Sequence, residues 1–198
     1  MPASIDLATL LVPDLTAALN ALGQIGLACG SIQRLPRDLA LALGQTALIE
    51  SPCASAGHSL RLIQASMHGP GPWGWLDLTA PAISSTAPGG LPLSLRRGSV
   101  DHIDLVQLHS KSPRRSAGFY EGLGLRLLDE CDGESNAATL ALPGGQRLRI
   151  TPPSATPSVS PAICLSIRLS RQSEAAESRL MSAARVLAGP GGECIELL

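Results

Sequence analysis

IDLATLLVPDLTAALNALGQIGL at Ile5–Leu27 and IDLVQLHSKSPRRSAGFYEGLGL at Ile103–Leu125 are two versions of one segment. They align without a gap. Ile5 matches Ile103, Asp6 matches Asp104, Leu7 matches Leu105, Leu10 matches Leu108, Gly26 matches Gly124 and Leu27 matches Leu125. Each copy is followed by a similar ending, PGGLPLSL at Pro88–Leu95 and PGGECIEL at Pro190–Leu197. An internal duplication bounds the fold before any local detail does. It divides the 198 residues into halves 1–99 and 100–198, each of ordinary domain size.

Within the first copy, Ile5–Val12 alternates weakly and predicts a strand that Pro13-Asp14 stops. Asp14 suits the N-cap of a helix whose Leu15, Leu19 and Leu22 recur at helical spacing, and Gly26 ends the unit. Asp38–Leu43 predicts a short helix and Thr46–Ser51 a strand. Ser59–Gln64 predicts another strand, reached through the turn formers Ser55–Gly57. Strands follow at Trp75–Thr79 and Leu91–Arg96. The second copy repeats the plan: a strand at Asp101–His109, then a helix from Pro113 to about Gly122. A hairpin joins Ala137–Leu142 to Gln146–Thr151 about Pro143–Gly145. Pro152–Pro161 reads as a linker. Ala162–Leu169 predicts a strand, Ser173–Ala184 a helix and Gly192–Leu198 the last strand. Several strands follow each helix, which argues for an α+β fold over a doubly wound α/β one. Hairpin turns imply mainly antiparallel pairing.

Composition excludes several classes of function. The formal net charge is −1, which gives no electrostatic case for nucleic acid or an anionic membrane surface. No run of about 18 apolar residues predicts a membrane span. The opening residues lack the basic start and cleavage site of a signal peptide, so a cytoplasmic protein is expected. The five cysteines are scattered and contain no CxxC, so reduced thiols are expected, with neither a disulfide framework nor a zinc finger. Aromatic residues make up 2%, so the core must be aliphatic. The PGG segments read as hairpin turns, because no GKS/T or GxGxxG pattern accompanies them.

HIDLV at His102–Val106, FYEGLGL at Phe119–Leu125, LPGGQRLRI at Leu142–Ile150 and GPGGECIEL at Gly189–Leu197 resemble the vicinal oxygen chelate superfamily. This is the group of glyoxalase I, bleomycin-resistance proteins and extradiol dioxygenases. The N-terminal half, through VPDLTAAL at Val12–Leu19 and LRLIQA at Leu60–Ala65, is similar but degenerate. The resemblance implies tandem βαβββ-type modules forming two half-open barrel-like sheets around clefts. In metal-dependent members a divalent cation in the cleft polarises substrate oxygens.

Carried over one residue at a time, the resemblance places His102, Arg149, about Ala162 and Glu196 at the family's ligand positions in the C-terminal half. Ser4, Arg61, Trp75 and Ser94 take those positions in the N-terminal half. Only His102 and Glu196 are ligand types. A guanidinium at Arg149 repels a cation and pairs readily with a carboxylate. The expectation is therefore no cofactor. If a divalent metal does bind, its ligands would be His102 and Glu196, with His109 or Cys164 as further candidates should they face inward.

Several reaction types follow. The first is a metal-independent isomerase, cyclase or lyase in the C-terminal cleft. There His102 and Glu196 would be the catalytic acid–base pair, and Arg149 would hold an anionic or enolate oxygen. Arg61, Trp75 and Tyr120 complete the expected substrate-binding set, with Tyr120 also suited to the helix–sheet core. The rival is a non-catalytic protein that sequesters small molecules, with Trp73 and Trp75 as candidate cleft walls. A third is a metal-dependent dioxygenase or lyase with an atypical ligand set. The expected partner is a small, anionic molecule. A homodimer is common in the resembled family.

Overall fold

The computed structural model describes residues 4–35, 52–57, 59–64, 75–80, 91, 93–98, 102–129, 136–142, 144–153, 163–168, 186–190 and 194–197. In chain order the elements are β1 (Ser4–Val12), α1 (Leu15–Gln24), β2 (Gln33–Arg34), β3 (Pro52–Ala56), β4 (Leu60–Gln64), β5 (Trp75–Ala80) and β6 (Leu93–Arg97). The second copy continues with β7 (His102–His109), α2 (Pro113–Gly122), β8 (Arg126–Asp129), β9 (Ala138–Ala141), β10 (Arg147–Thr151), β11 (Ile163–Arg168), β12 (Val186–Ala188) and β13 (Cys194–Leu197).

The strands form two mixed sheets in an α+β arrangement. The first runs β12-β13-β11-β1-β4-β3-β2 and the second β6-β5-β7-β10-β9-β8. The boundary at 99/100 falls between β6 and β7, yet each sheet takes strands from both sides of it. β1 pairs antiparallel with β11, and β5 pairs antiparallel with β7. The two halves thus exchange their shorter units. Pairing is mostly antiparallel among the described residues, but β1·β4, β5·β6, β7·β10 and β11·β13 are parallel.

The duplication holds to the residue. Thr9 lies beside Arg61 in the β1·β4 pair, and Gln107 lies beside Arg149 in the β7·β10 pair. Both leading strands carry a bulge at the shared aspartate, Asp6 in one and Asp104 in the other. Gly26 and Gly124 close the two helical units at φ 90 and φ 94. That left-handed conformation is open to glycine at little steric cost, which explains the shared Gly-Leu endings. The helix starts differ in chemistry. Asp14 caps α1 by accepting from the Ala17 N–H at 2.9 Å. Ser112 makes no such bond, and α2 opens on Pro113 instead, whose ring presets a helical φ.

Each helix covers one face of its strands. Leu15, Ala18 and Leu22 of α1 and Pro113, Ser116, Ala117 and Tyr120 of α2 are buried. They meet the alternate positions Ala8, Leu10, Leu60 and Leu62 in the first sheet, and Val106, Leu108, Leu148 and Ile150 in the second. Burying one such leucine contributes about 1.5–3 kcal/mol. Tyr120 stands where Leu22 stands in the first copy. It is fully buried and edge-on to Phe119 at 5.3 Å. One continuous core joins both sheets, and β1 packs on β7.

A polar clamp also joins the sheets. The buried Gln146 side chain, in the β9–β10 turn, donates to the Ile5 carbonyl at 2.6 Å and accepts from the Ile5 N–H at 2.8 Å. Ile5 borders the β1 bulge, where the backbone ladder is interrupted. Gln146 therefore satisfies backbone groups that the bulge leaves over.

Some local expectations shift. The strand expected at Thr46–Ser51 lies outside the described residues, as do the helices expected at Asp38–Leu43 and Ser173–Ala184. β3 runs through Ser55, which the sequence reading assigned to a turn; the left-handed turn residue is Gly57, at φ 63. β8 at Arg126–Asp129 was not anticipated, because RLLD is short and shows no alternation of apolar and polar residues. No helix among the described residues is long and apolar enough to cross a membrane.

Candidate functional site

Each sheet has one face under its helix and one face turned away. On the first sheet the outer face carries Leu7, Thr9 and Leu11 of β1, Arg61 and Ile63 of β4, and Cys53 and Ser55 of β3, by alternation and register. On the second sheet the matching positions are Leu105, Gln107, His109, Arg149, Thr151 and Thr139.

A cavity of about 320 Å³ opens on the first of these faces, lined by Leu7, Ser31, Gln33, Arg34, Cys53, Ser55 and Arg61 among others. No carboxylate is among its described lining residues. Arg61 is half-buried, and its Nε–H donates to the Thr9 hydroxyl at 2.9 Å. Thr9 is itself fully buried, so the guanidinium is held from one side by a fixed acceptor. Burial pushes the Cys53 thiol above its ordinary value, outweighing the opposite pull of Arg61. Cys53 therefore stays a neutral thiol at neutral pH. Gly30 also lines the cavity, and a Cβ there would come within 2.7 Å of the Ser55 hydroxyl.

The expected trio is distributed over the two sheets. His102 and Arg149 are on the second sheet, but Arg149 is level with Gln107. The stretch of β7 between His102 and Gln107 spans about 15 Å at ordinary strand rise. Glu196 is on β13 of the first sheet, beside Ser166, which in turn lies beside Leu7. It shares a sheet with Arg61 and not with His102. Strand pairing across the halves thus places Glu196 on one sheet and His102 and Arg149 on the other. The position expected near Ala162 moves as well. Trp75 lies beside Gln107, and Cys164 lies beside Thr9, so Cys164 is the residue equivalent to Trp75. Tyr120 is fully buried under the helix side of the second sheet, in the helix–sheet core to which the sequence also suited it. Trp73 lies outside the described residues.

His102 has different company. It is half-buried and lies beside Thr79, which lies beside Arg96. The Thr79 hydroxyl donates to Asp104 at 2.6 Å. In the first copy Asp6 accepts from the Ser4 hydroxyl at 2.6 Å instead. Ser94 donates to Asp77 across the β5·β6 pair. Further along β7, His109 Nδ1 is 2.9 Å from the Thr151 hydroxyl. Burial lowers the His109 pKa, partly offset by a backbone hydrogen bond at Pro152.

Solved structures that resemble this chain decide the architecture. Glyoxalase I from Zea mays superposes with a TM-score of 0.60 at 15% identity, covering 98% of this chain and 92% of that one. A point mutant of the same enzyme also gives a TM-score of 0.60 at 15% identity, covering 99% and 93%. The chain has the vicinal oxygen chelate fold. No known protein family's profile matches the sequence, and no curated protein matches it.

The positions that the resemblance ties to a metal can be read within this vicinal oxygen chelate frame. On the first sheet they are Ser4, Arg61, Cys164 and Glu196, and on the second Trp75, Ser94, His102 and Arg149. Neither set supplies three ligand-type side chains, where three or four are usual. Each set also includes an arginine, which cannot ligate a cation. Among the described residues no three His, Cys, Asp or Glu side chains converge. As a donor set, the residue types at these positions do not fit a divalent ion.

Arg34, Cys53 and Ser55 were not singled out from the sequence. Arg61 was, from the LR pattern repeated at Leu60-Arg61 and Leu148-Arg149. The missed residues sit on β2 and β3, short strands defined by their pairing, β3 with β4 and β2 with β3.

Proposed function

We propose that this chain is a small-molecule protein of the vicinal oxygen chelate kind that holds an anionic ligand over the first sheet, with Arg61 as the anchor. One observation carries the reading: a half-buried guanidinium, braced by a buried threonine, lines a cavity of about 320 Å³. A guanidinium offers a planar fork of donors to paired oxygens. The hydroxyls of Ser31 and Ser55 and the amide of Gln33 add donors around it. Leu7 and the neutral Cys53 supply an apolar wall. The cavity thus favours holding a ligand over proton transfer, since none of these named side chains is a base at neutral pH. Calorimetric titration of small carboxylates and phosphates into the wild-type chain and Arg61→Gln tests this. Binding that survives the substitution unchanged sinks it.

A second reading keeps catalysis, of isomerase, cyclase or lyase type, on the second sheet. It is favoured by the row His102, Thr79 and Arg96, with Asp104 hydrogen-bonded to Thr79. An imidazole is suited to proton transfer near neutral pH. Deuterium uptake from D2O next to the carbonyl of candidate keto and hydroxy acids, followed by NMR, reads such a step directly. His102→Gln should abolish the exchange while leaving anion binding at Arg61 intact. Exchange that persists in that variant removes His102 from the chemistry.

A further inference from the structure

We propose that Cys164 and Cys194, register neighbours on the parallel strands β11 and β13, form a two-thiol site for a soft monovalent cation of the Cu(I) class. The proposal does not depend on the Arg61 reading. Residues level with each other on paired strands stand on one face of the sheet, and neighbouring strands run about 4.8 Å apart. The two cysteines, far apart in sequence, thus share a face and a row. Neither of the other described cysteines has this company. Cys53 is level with Gln33 on one side and Ile63 on the other, and Cys29 is level with Ala56.

The spacing favours a bridging ion over a disulfide. A parallel ladder is evenly spaced and lacks the close pairs of an antiparallel one. Level Cβ atoms therefore keep roughly the strand separation, about 4.8 Å, whereas a disulfide wants them at about 3.8 Å. A cation held between two sulfurs fits the wider gap. Thiolates are soft donors that select Cu(I). Two of them complete the near-linear coordination that this closed-shell ion accepts, while structural zinc takes four ligands. The rest of the row adds no soft donor, since it runs Ala188, Cys194, Cys164, Thr9. Two residues along, the next level pair is Ser166 and Glu196, whose oxygens suit harder ions. Binding releases both thiol protons to solvent and ties β13 to β11.

The test offers Cu(I), as its coloured bicinchoninate complex, to the full-length reduced chain under nitrogen. The wild-type chain should withdraw one Cu(I) per molecule and gain thermal stability as it does so. Cys164→Ser and Cys194→Ser should each weaken the affinity at least about hundredfold. Cys29→Ser, Cys53→Ser and Cys131→Ser should stay within about twofold of wild type. X-ray absorption at the copper edge of the loaded wild-type chain should count two sulfur neighbours, a readout that needs no variant to fold. No withdrawal of Cu(I) by the wild-type chain overturns the proposal. Affinity that survives either the Cys164 or the Cys194 substitution overturns it, as does affinity that depends on Cys29, Cys53 or Cys131. A copper environment without two sulfur neighbours overturns it as well. None of these results bears on anion binding at Arg61, which the titration of Arg61→Gln tests separately.

Discussion

The outer faces of the two repeats share one register and differ in what they display. Where β1 and β4 put Thr9 beside Arg61 and Leu11 beside Ile63, β7 and β10 put Gln107 beside Arg149 and His109 beside Thr151. Arg61 is half-buried over an apolar neighbourhood in which Leu11 and Ile63 are buried. Arg149 is exposed beside polar neighbours. The same residue type at the same position is thus half-buried in a recess on one sheet and a solvated side chain on the other. A guanidinium with less competing water interacts more strongly with an anion. Position in the repeat does not assign a role; burial of the neighbours does.

The largest expected effect concerns what ties the two sheets together. Gln146→Ala removes both hydrogen bonds to Ile5 and leaves a buried N–H and C=O unpaired, at about 3 kcal/mol. Thermal unfolding should fall by roughly 10 °C. An unchanged Tm would show that the sheets hold together without the clamp.

Next comes the contrast between the two arginines. Arg61→Gln should weaken anion binding about 10- to 100-fold, and Arg149→Gln by less than about twofold. Thr9→Val keeps the shape of the side chain but removes the acceptor for Arg61. It should cost about threefold to tenfold in affinity. Equal effects at Arg61 and Arg149 would erase the difference between the faces.

The two helix ends provide a control in which the repeats should agree. Gly26→Ala and Gly124→Ala each force a Cβ into a left-handed conformation, at about 1 kcal/mol apiece. Denaturant unfolding measures both. Clearly unequal costs would mean that the frame, and not only its outer face, has diverged.

The smallest effect is a pH dependence confined to the second sheet. Burial holds the His109 pKa below the ordinary 6.5. The unfolded chain therefore takes up a proton at a higher pH than the folded one. Stability is unaffected by this group above that value and declines as pH falls below it toward the folded pKa. Leu11 occupies the matching place in the first sheet, so His109→Leu should flatten Tm between about pH 7 and pH 5. A slope that stays the same would assign the acid sensitivity to other groups.

Much of the frame was legible. The gapless repeat located both leading strands, both helices and the glycines that end them, because each rests on a local cause: alternation, an Asp14 cap, a Pro113 start, a φ that favours glycine. β3 was misplaced because Ser55–Gly57 has turn composition, and only pairing with β4 draws Ser55 into a strand. Of the site, Arg61 was legible from its repeated motif. The grouping of His102, Arg149 and Glu196 was not. It assumed that residues of one half face one hollow, whereas β11 pairs with β1 and β5 with β7.

By itself the amino-acid sequence determined that the chain is duplicated, where its main elements begin and end, and which side of each helix and strand is apolar. These properties depend on side chains within a turn or a few strand residues of each other. The tertiary structure alone decided which strands pair across the halves, and so which polar residues share a face. Backbone hydrogen bonds are alike in every strand and carry no address. The choice of partner is settled by burying all the apolar faces at once in a single core.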